Sequence, residues 1–190
     1  SHCSPSLGGG GRAVGTLAAA SLGPSPHSRS LADFFKRRYG GAHTPAFYRA
    51  RRNFVQSLAA YSIVCYLLQI KDRHNGNILL HASGALVHID FGFLLSNSPG
   101  KNLNFEAAPF KLPGDWVDLM GGVGSPWFRY FRQLVVRGFQ VARQQREHLL
   151  LVVRATFRGV GGALPCFRAG EDAIDSLRER FRPEMSEREY

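Results

Sequence analysis

No run of this 190-residue chain stays apolar for long enough to cross a bilayer as a helix. The longest candidate, Leu58 to Leu68, contains Ser62 and closes on Gln69 and Lys71, short of the roughly 20 apolar residues a span needs. It reads as a buried helix instead. Cysteine is scarce: Cys3, Cys65 and Cys166 are widely scattered, with neither pairing nor metal-ligand spacing. That speaks against a disulfide framework or a zinc module and for a reducing, cytosolic setting. Acidic residues are outnumbered, 14 against 24 Lys and Arg, and the formal charge of +10 favours an anionic partner. A phosphorylated nucleotide, an acidic bilayer surface or a nucleic acid would each satisfy the charge. No nucleic-acid-binding module accompanies it, so nucleic acid is not expected as a partner. A phosphate loop is missing too, since Gly8 to Gly11 follows no apolar strand and precedes no Gly-Lys-Ser/Thr. Arg12 followed by Ala13 to Leu22 imitates a signal peptide only faintly, with no initiating Met and an apolar centre diluted by Gly and Ser.

What remains is ample for one packed domain, with 44% hydrophobic and 12% aromatic residues. Residues 1–30, rich in Gly, Ser, Ala and Pro, are expected to form a low-complexity, disordered segment or loose linker. From Leu31 the pattern changes. Leu31 to Tyr39 suits a short helix closed by Gly40-Gly41. Thr44-Pro45 supplies a cap and a first-turn proline for a long helix running to about Ile70. Phe47, Phe54, Leu58, Tyr61, Cys65 and Leu68 make one apolar stripe along it, while Arg49, Arg51 and Arg52 can stay solvated near its start. Ser125-Pro126 repeats the cap, predicting a helix from Trp127 to about Arg146. A second should run from His148 to about Arg158, ended by Gly159, and a third over Gly170 to Arg180. Arg129, Arg132, Arg143 and Arg146 fall within an arc of about 100° on the first of these. A solvated face is the default reading of that arc, and contact with an anionic leaflet the alternative.

Between these helices lies the informative stretch. Asp72-Arg73-His74-Asn75-Gly76-Asn77 is followed at Asp90-Phe91-Gly92 by a second acidic motif. Ile78-Leu79-Leu80 and Leu86-Val87-His88-Ile89 read as short strands joined through Ala82-Ser83-Gly84, a β-hairpin. Such a hairpin brings Asn77, before its first strand, near Asp90, after its second. Carboxylate and amide oxygens gathered at one strand end suit Mg²⁺, which takes hard oxygen ligands and shares them with phosphates. A polar loop, a hairpin and Asp-Phe-Gly is how kinases assemble the metal side of phosphoryl transfer. Here the usual His-Arg-Asp order is inverted to Asp-Arg-His. The bland reading of the same residues is a turn capped by Asp90 and a strand that happens to begin at Asn77.

Asp-Arg-His-Asn-x-Asn with Ile-Asp-Phe-Gly-Phe resembles the phosphatidylinositol 3-/4-kinase superfamily. Asn53-Phe54-Val55-Gln56-Ser57, Val64 to Gln69, Phe110-Lys111-Leu112, Asp118 to Gly122 and Leu164 to Phe167 are most similar to its type III beta phosphatidylinositol 4-kinase branch. The resemblance covers roughly Ser30 to Phe181 and is densest from Asn53 to Gly122. It implies an α+β fold: residues 31–190 as the mostly helical C-lobe of a protein-kinase-like fold with a small β-hairpin, N-lobe absent and C-terminally truncated. The catalytic loop would be residues 71–77, the metal motif 90–92 and the activation loop 91–113. It implies ATP and Mg²⁺ (or Mn²⁺) as cofactors and phosphatidylinositol in a membrane surface as substrate, with protein adaptors as further partners. The implied setting is cytoplasmic and peripheral on intracellular membranes, the Golgi in particular. Asp90 and Asn77 would hold the metal beside the nucleotide phosphates.

For the proton, an unperturbed imidazole titrates near neutrality. His74 handling the proton with Asp72 orienting is therefore favoured, and Asp72 as base with His74 donating to the γ-phosphate is the alternative. Arg73 is expected to be a structural ion-pair partner, and His81 and His88 packing or surface residues. Lys101 and Lys111, with Glu106 between, are the only full positive charges of the activation loop. Two separated lysines suit an inositol lipid carrying only its phosphodiester, because a multiply phosphorylated head group needs a denser set of donors. Neither a phosphate-covering loop nor a strand lysine is found, so weak or no transfer is expected from this chain alone. The competing classes are a catalytically dead adaptor retaining this lobe and a kinase acting on Ser/Thr.

Overall fold

The computed structural model describes residues 20–21, 30–98, 108–160 and 162–185. Lys101, Glu106 and residues 99–107 of the expected activation loop lie outside the described residues, as do 1–19, 22–29, 161 and 186–190. In chain order the elements are β1 (Ala20–Ser21), α1 (Leu31–Tyr39), α2 (Pro45–Leu68), β2 (Ile78–Leu80), β3 (Leu86–His88), α3 (Gly114–Leu119), α4 (Pro126–Gln144), α5 (Arg146–Val160) and α6 (Glu171–Arg180).

The helix starts are fixed by side chains that satisfy first-turn amides. Ser30 accepts from Asp33 N at 3.1 Å, Thr44 from Phe47 N at 3.2 Å and Ser125 from Phe128 N at 3.0 Å. Proline follows two of these caps, where its missing N–H costs nothing. α1 stops at Gly40, whose φ of 89° a side chain would resist. α2 stops at Gln69 in left-handed geometry, one residue before the expected end, with Ile70 N reaching back to Cys65 O at 3.2 Å.

Three departures from the sequence reading have local causes. Gly159 does not end α5, which runs on to Val160; one helical glycine costs about 1 kcal/mol but breaks no hydrogen bond. α3 and a 3₁₀ turn at Pro165–Phe167 are too short for a periodic signal to predict them. Ala20–Ser21, inside the segment expected to lack regular structure, pairs antiparallel with β2, opposite Leu80 and Leu79. The sheet order is thus β1-β2-β3.

α2 is the axis of the molecule. Its apolar stripe is buried at Phe47, Phe54, Leu58 and Cys65, within a core completed by Phe35, Ile78, Leu86, Trp116, Met120 and Phe131. A second core, built on Leu67, Leu95, Leu150, Ile174, Leu177 and Phe181, ties the end of α2 to α5 and α6. Asn53, Ser57, Tyr61 and Cys65 meet the hairpin. Tyr48, Gln56, Ile63 and Tyr66 meet α4. At about 100° per residue these two sets lie on nearly opposite sides of α2.

The arginines are less uniformly solvated than the sequence suggests. Arg51 lies over the Phe47 and Trp127 rings, 4.8 and 4.9 Å from their centroids, and burial pushes its pKa down. The α4 arc also divides. Arg129 and Arg132 are exposed, together with Arg137. Arg143 instead donates to the carbonyls of Pro183 and Met185, and Arg146 pairs with Glu147 at 3.3 Å.

Candidate active site

The site hangs between two chain segments that run past each other. Lys71 N donates to Phe93 O at 3.0 Å and Leu95 N to Leu68 O at 2.7 Å, so the way into one motif is stitched to the way out of the other. The hairpin sets the remaining register. Ile78 faces His88, Leu80 faces Leu86, and Ile89 N donates to Asn77 O at 3.0 Å. Asn77 therefore lies opposite Ile89, one residue from Asp90.

Both aspartates sit in the left-handed region, Asp72 at φ 61° and Asp90 at φ 57°. Each costs about 1 kcal/mol for an L residue, and such strain persists where the surroundings over-determine it. Arg73 does much of that. It is 5% exposed, and its Nε donates to Lys71 O at 2.9 Å and its Nη1 to Ile89 O at 2.8 Å. Its Nη2 donates to Asp90 O, and its guanidinium lies 5.5 Å from the Phe91 ring centroid. Among the described residues Arg73 has no ion pair of the expected kind: it serves backbone carbonyls, whose planar spread matches its fork of donors. Asn77, also buried, donates its amide nitrogen to Asp72 O at 2.9 Å. The nitrogen end is thereby committed, leaving the oxygen end of the amide as the group a hard cation could use.

Asp90 is exposed, and its Oδ1 accepts from Gly92 N at 3.3 Å. The turn-capping reading is thus correct for one oxygen and leaves the other uncommitted to it. His74 accepts from Gly76 N through Nδ1 at 3.0 Å, and its Nε2 lies 3.9 Å from Asp72 Oδ2. With Nδ1 accepting, the proton of the neutral ring belongs on Nε2, facing the carboxylate. Lys111 donates to Asn75 Oδ1 at 2.7 Å, linking the segment after the metal motif to the catalytic loop. The sequence offered no sign of that contact beyond Asn75 lying in the motif.

His88 is 6% exposed and stacks on Tyr61, with centroids 4.0 Å apart and planes 5° from parallel. Its Nδ1 is 3.9 Å from Cys65 Sγ, and its Nε2 has no hydrogen-bond partner. Burial, then Arg73 and Lys111, lower its pKa to about 4, so the ring is neutral at physiological pH. His81 stays in the hairpin turn, 2.9 Å from Ser83 Oγ. The packing role expected of His88 is what the fold provides.

Among known proteins, residues 19–166 match the family model for phosphatidylinositol 3- and 4-kinase. The chain belongs to the phosphatidylinositol 3- and 4-kinase family. Phosphatidylinositol 4-kinase beta of Xenopus tropicalis is 49% identical over 158 residues, covering 83% of this chain and 19% of that protein. The Rattus norvegicus protein of the same name is also 49% identical over 158 residues. A phosphatidylinositol 4-kinase of Dictyostelium discoideum is 48% identical over 165 residues, 87% of this chain and 14% of that protein. The chain thus spans less than a fifth of the length of these relatives. Its mostly helical body with a small antiparallel hairpin is the C-lobe architecture expected of this kinase family. No helix among the described residues is long and apolar enough to cross a membrane.

Proposed function

We propose that this chain forms the catalytic-loop and metal-binding part of a lipid kinase that transfers the ATP γ-phosphate to the 4-hydroxyl of phosphatidylinositol. The observation carrying this reading is that Arg73 and the hairpin register tie the Asp72–Asn77 loop to the backbone of Ile89 and Asp90. Mg²⁺ is bound in such sites by one or two protein oxygens together with phosphates and water. The Asn77 amide oxygen and the Asp90 carboxylate fit that donor set. No group of three or more His, Cys, Asp or Glu is gathered among the described residues, so an all-protein cage is not the alternative. When bound, the ion would neutralise charge on the transferring phosphate.

Proton handling follows from the ring geometry. With Nδ1 of His74 accepting from Gly76, its Nε2 is a donor. That favours Asp72 as the acceptor of the lipid hydroxyl's proton, with His74 presenting Nε2–H to the carboxylate or to a γ-phosphate oxygen. This is the second of the two divisions drawn from the sequence. Lys111, bonded to Asn75 of the same loop, would meet the phosphodiester of an inositol lipid, with Lys101 as its expected companion; the contact with Asn75 supports that role. Charge and the lack of a spanning helix support a peripheral position on an anionic intracellular membrane.

The deciding experiment has two readouts. Mn²⁺ with ATP should broaden the amide resonances of Asn77 and Ile89 to Gly92, and Asp90→Asn should abolish the broadening. Labelled ATP with phosphatidylinositol vesicles should yield at most a low level of lipid phosphate, which the same variant should abolish. Metal binding without transfer is still what the kinase reading expects of this chain alone; no broadening near Asp90 would end that reading and favour the adaptor.

A further inference from the structure

Behind the catalytic loop, on the side facing α6, a cavity of about 310 Å³ opens between α6 and the paired segments 69–71 and 95–96. Lys71, Ser96, Ser176, Arg180 and Asp172 supply its polar lining, and Leu177 with its neighbours an apolar wall. Two of the lining residues are cations. Lys71 and Arg180 are both partly buried, yet among the described residues neither has a carboxylate within 4 Å. Arg180 meets two neutral oxygens, Tyr66 O at 3.0 Å and the side-chain amide oxygen of Gln69, and burial pushes its pKa down. Asp172, exposed at the rim, is the single acidic lining residue. A partly buried guanidinium met only by neutral oxygens keeps a charge that an anion would complete.

We propose that this cavity is a binding site for a small organic anion, a phosphate or carboxylate on a short body, held by Lys71 and Arg180. Its volume lies at the small end of ligand pockets, which limits the ligand to a compact molecule. The site is separate from the metal site and needs no nucleotide. Its floor nonetheless joins both motifs. Lys71 precedes Asp72, its carbonyl is held by Arg73, and its N–H is bonded to Phe93 O. An occupant would therefore brace the crossing from which Asp72 and Asp90 both project, which makes the site regulatory in kind.

The test is a titration without ATP, followed by ¹H–¹⁵N NMR, with glycerol 3-phosphate in one arm and glycerate in the other. Saturable shifts are expected at the amides of Lys71, Ser96 and Ser176 in at least one arm, and the arm identifies the anion. Ser176→Trp fills the cavity without altering charge and should weaken binding at least 10-fold. Arg180→Gln should do the same, and its melting curve separates lost binding from lost folding. Non-saturating shifts, shifts concentrated at Arg129, Arg132 and Arg137, or saturation unchanged in Ser176→Trp would overturn the proposal. Because no metal or nucleotide enters, failure here leaves the kinase reading standing, and the reverse also holds.

Discussion

α2 has two working faces, held by different kinds of force. Toward the hairpin the contacts are directional. Asn53 Nδ2 donates to Ser83 O at 2.9 Å, Leu86 N donates to Ser57 Oγ at 2.8 Å, and Tyr61 lies flat against His88. Toward α4 they are mainly rings and methyl groups. Tyr48 meets Trp127 edge-on at 5.0 Å, Tyr66 meets Phe139 at 5.7 Å, and Gln56 to Tyr130 Oη is a rare polar link. Hydrogen bonds specify register, since a slip of one residue turns every strand side chain over, whereas apolar packing tolerates small shifts. The hairpin face therefore carries the chemistry, and the α4 face chiefly stability. The same opposition bears on the membrane. A flat bilayer against Arg129, Arg132 and Arg137 would have the whole thickness of α2 between it and Asp90, roughly 20 Å at ordinary helix and sheet spacings. Those arginines suit a solvated face, which agrees with the proposal that the acceptor lies near Lys111.

The largest effect should come from Gly84→Ala, at the tightest point of the hairpin face. Gly84 has φ 89°, and an added Cβ would sit 2.6 Å from Ala50 O and 2.8 Å from Ala50 Cα, backbone atoms that cannot rotate away. Left-handed strain and overpacking together predict a loss of about 4 kcal/mol, read by urea denaturation. A loss below about 1 kcal/mol would mean that the hairpin docks loosely and the contrast between faces is wrong.

His88 gives the same contrast a pH signature. Its pKa is about 4 folded, against an ordinary 6.5, so the folded state prefers the neutral ring. The associated stability is fully present above pH 6.5, falls as pH drops from 6.5 toward 4, and changes no further below. The full excursion is about 3 kcal/mol. His88→Phe keeps a ring on Tyr61 and should remove this component, so the stability difference between variant and parent should narrow or reverse on acidification. A constant difference from pH 7.5 to 4.5 would place His88 in water rather than in the core.

Arg73→Lys comes next, at about 2 kcal/mol, because one ammonium cannot serve three carbonyls spread across a guanidinium plane. The more telling readout is hydrogen exchange. The amides of Ile89 to Gly92 should lose protection while those of α4 keep theirs. Equal loss in both regions would show one cooperative unit without the division drawn above.

How much of this was readable in advance divides along the same line. The starts of α2 and α4 were legible because Thr44-Pro45 and Ser125-Pro126 act on their own neighbours within three residues. The pairing of Asn77 with the Asp90 region was legible because a short turn leaves few registers. Arg73 was read as an ion-pair partner, since a sequence names the cation but not the three carbonyls that two separate segments bring to it. His74 was favoured over Asp72 for the proton on basicity alone, and the bond from Gly76 N to Nδ1 that bears on the choice could not be read from residue types. The cavity beside α6 was invisible, because Lys71, Ser96 and Arg180 come to line it only through tertiary packing.

The smallest effect is predicted for Gly138→Ala, although its raw contact is the closest of all. A Cβ at Gly138 would lie 2.4 Å from Ile63 Cδ1, nearer than Ala50 O would lie to one at Gly84. Distance alone would rank this substitution worse. The atom in the way, however, is the free end of an isoleucine side chain, which can turn about its outer torsion at a cost of order 1 kcal/mol. Replacing a helical glycine by alanine returns about 1 kcal/mol of backbone entropy to α4. The two nearly cancel, so thermal denaturation should move by less than about 0.5 kcal/mol equivalent in either direction. Strong destabilisation would show Ile63 to be locked, and the α4 face to be as tightly specified as the hairpin face opposite.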